Sequence, residues 1–230
     1  QYLNKSDKIN AVSAFKLAQE LNPENPYYNN SLAYAYIKAE LYDDAIEYYQ
    51  LAIKLNPDAE WTSIVCHALG AIYAEVKNNF DAAEATFNAG MVLDPKNVDI
   101  QLSLGDLYMA QGDLDKAIKT YCDAISVEPE NYLTYAKTGL ALWEKDYLEE
   151  AIVAFHKSIE LNPEFEIAQN NLGVVYLDGI GDPKESIEYF KNAININPNY
   201  TLAYFNLGRA YQATGDKALA ACLLYTSDAA

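Results

Sequence analysis

Cysteine and histidine are the side chains best suited to nucleophilic or metal chemistry. This chain has three cysteines, Cys66, Cys122 and Cys222, and two histidines, His67 and His156. Cys66-His67 is the one point where a thiol and an imidazole are adjacent. A thiol nucleophile or a zinc site needs further partners, and none lies near in sequence. There is no CxxC and no paired cysteine spacing, so neither a zinc knuckle nor a disulfide framework is implied. Gly179-Ile180-Gly181 is the only glycine-rich stretch that could suggest phosphate binding. No strand pattern precedes it and no GK[ST] follows, so it reads as a turn. No catalytic, metal or cofactor residue is expected.

Composition points the same way. The 230 residues carry a net charge of −17 and a pI near 4.3, which makes nucleic acid and anionic membrane poor partners. No run of about 18 apolar residues is present, so no membrane insertion is expected. Hydrophobic residues make up 51%, enough for a substantial core. With 10 Gly and 8 Pro, long disordered linkers are not expected. The compartment stays open, with the cytoplasm the default.

What must position the remaining side chains is a repeat. Pro23, Pro57, Pro95, Pro129, Pro163 and Pro198 are 34, 38, 34, 34 and 35 residues apart. A small residue recurs in phase at Ala33, Gly70, Gly105, Gly139, Gly173 and Gly208. Three residues later stands Tyr36, Tyr73, Tyr108, Tyr176 or Tyr211, with Leu142 the exception. Then comes an alanine column: Ala11, Ala45, Ala83, Ala117 and Ala151, with Ser186 substituting. Four residues on, an aromatic returns at Phe15, Tyr49, Phe87, Tyr121, Phe155 and Phe190. A last small column is Ala18, Ala52, Gly90, Ala124, Ser158 and Ala193.

The apolar residues of each period fall at helical spacing on two stretches of about 14 residues. A short turn separates them, as in Gln111-Gly112-Asp113, where Asp113 can cap the second helix. The small column is expected to face the alanine column, letting the two backbones approach. The aromatics are expected to fill the space where the pair diverges. Proline cannot continue the second helix and resets the chain. Two periods are long. In the first, about three extra residues are placed before the first helix, around Glu60-Trp61-Thr62, and one in the turn near Asn78-Asn79. In the second, the extra residue is placed in the turn from Asp178 to Pro183.

These columns resemble the tetratricopeptide repeat, a 34-residue helix–turn–helix unit. The segment from Leu172-Gly173 to Gly181 resembles the related Sel-one-like α/α repeats. The resemblance implies an all-α, right-handed α/α superhelix, a solenoid of antiparallel helix pairs. A single array is expected over residues 1–221: a partial repeat 1–25, repeats 26–59, 60–97, 98–131, 132–165 and 166–200, and a partial repeat 201–221. Residues 222–230, CLLYTSDAA, back-translate onto a sequence that resembles a transposase-type sequencing adaptor, and are read as a non-native tail. No capping helix is visible at either end, so self-association through the ends is expected.

In the family, first helices line a concave groove. Carried over by register, the groove is Tyr27, Asn30, Ser31, Tyr34, His67, Leu102 and Asp106. It continues with Leu133, Lys137, Leu140, Trp143, Ile167, Asn170, Asn171, Val174, Leu202, Phe205, Asn206 and Arg209. Amide and aromatic groups of this kind suit an extended peptide or a helix. Asn171 and Asn206 share a column, similar to the asparagine ladder in the repeats of O-linked N-acetylglucosamine transferases, although Ser31, Ser103 and Lys137 interrupt it. The alternative is that asparagine simply tolerates a solvated helix face. The carboxylate clamp of chaperone-binding repeats is disfavoured, because Lys137 is the only basic residue of its column and Asp99 and Asp106 oppose an anion. Trp143 is either a ligand anchor or local packing.

The acids at the starts of second helices, such as Asp43, Asp44, Asp81, Asp115, Glu149, Glu150 and Glu185, complement the helix dipole by about 0.3–1 kcal/mol each. The expected function is a protein-interaction scaffold holding a peptide or helix. The alternative is the substrate-recruiting region of a larger enzyme, such as a glycosyltransferase of the O-linked N-acetylglucosamine type. A cell-envelope assembly factor is a third reading.

Overall fold

The computed structural model describes residues 5–56 and 58–221. Among these the chain is all-α. The helices are α1 (Lys5–Leu21), α2 (Pro26–Lys38), α3 (Tyr42–Leu55), α4 (Ala59–Ala71), α5 (Phe80–Leu93) and α6 (Val98–Gln111). They continue with α7 (Leu114–Val127), α8 (Tyr132–Glu144), α9 (Leu148–Leu161), α10 (Glu166–Val174), α11 (Pro183–Ile196) and α12 (Thr201–Thr214). Even-numbered helices are the first helices of the repeats and odd-numbered ones the second. The adaptor-like tail lies outside the described residues, as does Tyr2.

The chain divides into two compact units, residues 1–107 and 108–230, with the division falling inside α6. In the first unit α2 packs on α3 and α4 on α5. Its core gathers Leu32, Ala33, Tyr36, Tyr49, Val65, Leu69 and Ile72. In the second unit α8 packs on α9, and α11 packs on both α10 and α12. Phe155 joins Ala151, Leu172 and Val175 there, and Phe190 joins Ile187, Leu207 and Ala210.

The glycines of the small column stand closest to the aromatics of the second helices. A β-carbon on Gly139 would stand 2.9 Å from the Phe155 ring, and one on Gly173 would stand 2.6 Å from that of Phe190. Gly70 meets Phe87 in the same way. Each ring is fully buried. The missing β-carbon is therefore the socket for the aromatic of the second helix, a contact that the spacing of small residues did not indicate. The alanine column, also fully buried at Ala45, Ala83, Ala117 and Ala151, belongs to the same second-helix face one turn earlier.

The turns have a common closure. The carbonyl at the aromatic column accepts from the N–H five residues on. Leu41 bonds Tyr36, Asp113 bonds Tyr108, Tyr147 bonds Leu142 and Asp216 bonds Tyr211, each at 2.9 Å. The residue before each donor is left-handed: Glu40 (φ 63°), Gly112 (75°), Asp146 (64°) and Gly215 (88°). This is the Schellman ending, which closes a helix by burying its last carbonyls in hydrogen bonds. Asp113 then caps α7 by accepting from the Lys116 N–H.

The long periods solve the insertion differently from the expectation. Asn79 bonds the Tyr73 carbonyl and Asp182 bonds that of Tyr176, six residues back rather than five, both at 2.8 Å. The extra residue sits not in the turn but in the helix, as π-helical turns at Ile72–Val76 and Val175–Ile180. A π-turn takes up one additional residue within the helix. The turn itself is unaltered, with Asn78 (φ 49°) and Gly181 (77°) in the left-handed position. The residues expected before the first helix, around Trp61, are inside α4. They form an added N-terminal turn capped by Asp58, whose carboxylate accepts from the Trp61 N–H at 2.7 Å.

The proline punctuation also gains a physical reason. Asn56, Asp94, Asn162 and Asn197 each accept through Oδ1 from the N–H two residues on, at 3.0–3.2 Å. The side chain mimics a backbone turn across the proline.

Candidate functional site

In the unit of residues 1–107 the groove columns hold two bare rings. Tyr27 and Tyr34 are each 54% exposed. Tyr27 meets Trp61 edge to face, 5.0 Å between centroids, and the Lys38 ammonium lies 4.9 Å over the Tyr34 ring. Asn30 and Ser31 are half-buried beside them, and Asp106 is exposed. Leu102 is buried and does not line a groove. His67 is occupied: its Nε2 is 2.9 Å from Ser103 Oγ, and its ring lies 6.2 Å from Phe87. Cys66 is buried, and burial pushes its thiol up from the ordinary value, away from the reactive thiolate. The Cys66-His67 pair is thus packing and hydrogen bonding. Among the described residues no group of three metal-donor side chains converges.

In the unit of residues 108–230 the groove columns are more aliphatic. Leu133 and Leu140 on α8, Ile167 on α10, and Leu202 and Phe205 on α12 are all exposed. Lys137, Asn171 and Val174 are half-buried. Asn170 and Asn206 are not groove residues in the expected sense, being 1% and 4% exposed. Asn206 Nδ2 donates to Asn170 Oδ1 at 3.0 Å, and Asn170 Nδ2 donates to Asn171 Oδ1 at 3.3 Å. The asparagines that pair across helices are thus 206 and 170. The shared column of 171 and 206 missed this rung by one residue. Arg209 continues the chain, with Nη1 3.5 Å from Asn206 Oδ1 and two bonds to the Asp178 carboxylate at 2.8 and 3.2 Å. Asp178 stands in the π-turn, so the one-residue insertion supplies the partner of Arg209.

Trp143 is local packing in large part. A β-carbon on Gly179 would stand 2.6 Å from its Cζ3 and 3.0 Å from Leu148. Only glycine fits where the π-turn passes this ring. Sequence reading singled out Gly179 as a turn residue, and only the close approach of Trp143 reveals its reason.

Helix pairs on a 34-residue frame, sockets of glycine for phenylalanine and Schellman turns at one register define the architecture. A family model described as TPR repeat matches residues 105–146 and 180–215, and two described as tetratricopeptide repeat match 26–59 and 134–165. The chain belongs to the tetratricopeptide repeat family. Among its TPR relatives, the peroxisomal targeting signal receptor of Candida albicans is 30% identical over 192 residues, 79% of this chain and 31% of that protein. The BBSome complex member BBS4 of Bos taurus is 31% identical over 119 residues, 52% of this chain and 22% of its own length. The chain thus spans less than a third of these curated relatives. The crystal structure of MamA is similar with a TM-score of 0.62 and 29% identity, covering 69% of this chain and 92% of MamA. A tetratricopeptide repeat protein from Parabacteroides merdae shares the fold, with a TM-score of 0.76 and 19% identity over 87% of this chain and 78% of its own.

Proposed function

We propose that this TPR array is a protein-interaction scaffold whose first-helix faces hold a peptide or a helix of a partner. One observation carries the reading. Large apolar side chains stand in solvent at repeated groove registers, Tyr27 and Tyr34 in one unit and Leu133, Leu140, Ile167, Leu202 and Phe205 in the other, although both units already have filled cores. Scattered exposed leucines are ordinary, but exposed rows on successive helices mark binding surfaces. Half-buried amides such as Asn30 and Asn171 between them suit a ligand backbone. The Candida relative is named a receptor for a targeting signal, which accords with peptide recognition. In this reading the chain binds rather than catalyses.

Selection from a random-peptide library against the full chain tests it. Recovered peptides should lose binding to Tyr34→Ala or Phe205→Ala variants that keep their helical circular dichroism. Unchanged binding to both variants contradicts the groove assignment.

A further inference from the structure

A separate cleft of about 590 Å³ lies in the unit of residues 108–230. It opens between α7 and α9, the second helices of neighbouring repeats. Ile125, Tyr135, Val153 and Ala154 line it, and Glu149 and Glu150 stand at one end. On α8, Tyr135 lies on the side turned to the second helices, opposite Leu133, Lys137 and Leu140. The cleft therefore does not belong to the groove.

Its chemistry is amphipathic. Val153 is 69% exposed, an aliphatic bed left uncovered. Lys157, at the other end, holds its ammonium 2.7 Å from Glu160 rather than at Glu149 and Glu150, which stand in the first turn of α9. Residue 154 lacks the ring that two other second helices carry there, while α5 and α7 have Thr86 and Thr120. Position 154 is alanine where α3 has Tyr48 and α11 has Tyr189, whose rings stack on Tyr36 and Tyr176 at 5.6 and 5.3 Å. From Glu149 to Lys157 the cleft follows α9 for two turns, about 12 Å at 1.5 Å per residue. That is longer than one side chain.

We infer that this cleft takes a lysine or arginine side chain from a basic polypeptide segment. The alkyl stem lies on Ile125, Val153 and Ala154, and the cationic head sits at Glu149 and Glu150. Stem burial with a paired head is how long basic side chains cover apolar surface. The net charge of −17 draws such a segment in. The length of the cleft accommodates the neighbours of the basic residue as well.

The test titrates the full chain with a fluorescein-labelled peptide of alternating leucine and arginine, read by fluorescence anisotropy. Glu149→Gln/Glu150→Gln should weaken binding about tenfold, as loss of charge partners at an interface does. Ala154→Phe, which fills the cleft, should weaken it by a similar factor while the circular dichroism stays helical. Asp44→Asn/Asp81→Asn removes the same charge from other second-helix starts and should change binding less than about twofold. Equal weakening by the two charge-removing pairs overturns the inference, because long-range attraction then explains everything. Undiminished binding to folded Ala154→Phe overturns it too. Glutamate-dependent binding of 4-phenylbutylamine without binding of the peptide overturns the assignment to a polypeptide.

Discussion

Asn206 donates to Asn170 across 3.0 Å between α12 and α10, and both side chains are buried. The bond is the centre of a polar chain running from Asp178 through Arg209, Asn206 and Asn170 to Asn171. A buried amide left without its partner costs about 1–3 kcal/mol. Asn206→Ala should therefore lower the unfolding free energy by that amount in a urea titration. Asn170→Ala/Asn206→Ala should cost less than the sum of the single changes, because the second removes an already orphaned group. Strict additivity would mean that the pair is not coupled.

The glycine sockets give the second expectation. Alanine in a helix interior is favoured over glycine by about 1 kcal/mol. At Gly173 the added methyl meets the Phe190 ring, which is fully buried and cannot swing away. Overpacking costs about 1–3 kcal/mol, so the clash outweighs the propensity. Gly173→Ala should melt lower than the parent, and Gly173→Ala/Phe190→Leu should recover part of the loss.

Asp146 holds a left-handed backbone (φ 64°) where Gly112, Gly181 and Gly215 hold the same turn position. A non-glycine residue pays roughly 1–2 kcal/mol there. Glycine's larger freedom in the unfolded chain returns part of that. Asp146→Gly should therefore raise the unfolding free energy by about 0.5–1 kcal/mol. A loss of stability would show that the aspartate side chain matters more than its backbone.

Tyr49 and Tyr189 give the alkaline limit. Burial, joined at Tyr189 by the neighbouring Tyr176, pushes both phenols up to about 12 from 10.0. A raised folded pKa means that the unfolded chain ionises first. The stability these groups contribute is whole below pH 10 and is lost as pH rises towards 12. Urea midpoints should fall across that window, and Tyr49→Phe should fall less steeply. A parent midpoint flat from pH 10 to 12 would contradict it.

Much of this was readable from residue spacing, and the failures share a cause. Period, helix pairing, the Asp113 cap and the placement of acids at second-helix starts are local in sequence. The socket of Gly173 for Phe190 is a contact between helices, and small residues at one register do not say which neighbour they admit. An insertion shows as a longer period, but only the six-residue closure at Tyr73 and Tyr176 shows that the helix absorbs it. At the groove, helical register places Tyr34, Leu140 and Phe205 on the exposed face. It cannot tell a solvated asparagine from a buried one, and Asn170 and Asn206 turned inward because each supplies the other's hydrogen bond.

The groove itself is best tested by methyl nuclear magnetic resonance of the chain with a library-selected peptide. The Leu140, Ile167 and Leu202 methyl signals should shift on titration, while the exposed second-helix methyls of Val92 and Val127 stay in place. Shifts confined to Val92 and Val127, with the first-helix methyls unmoved, would contradict it.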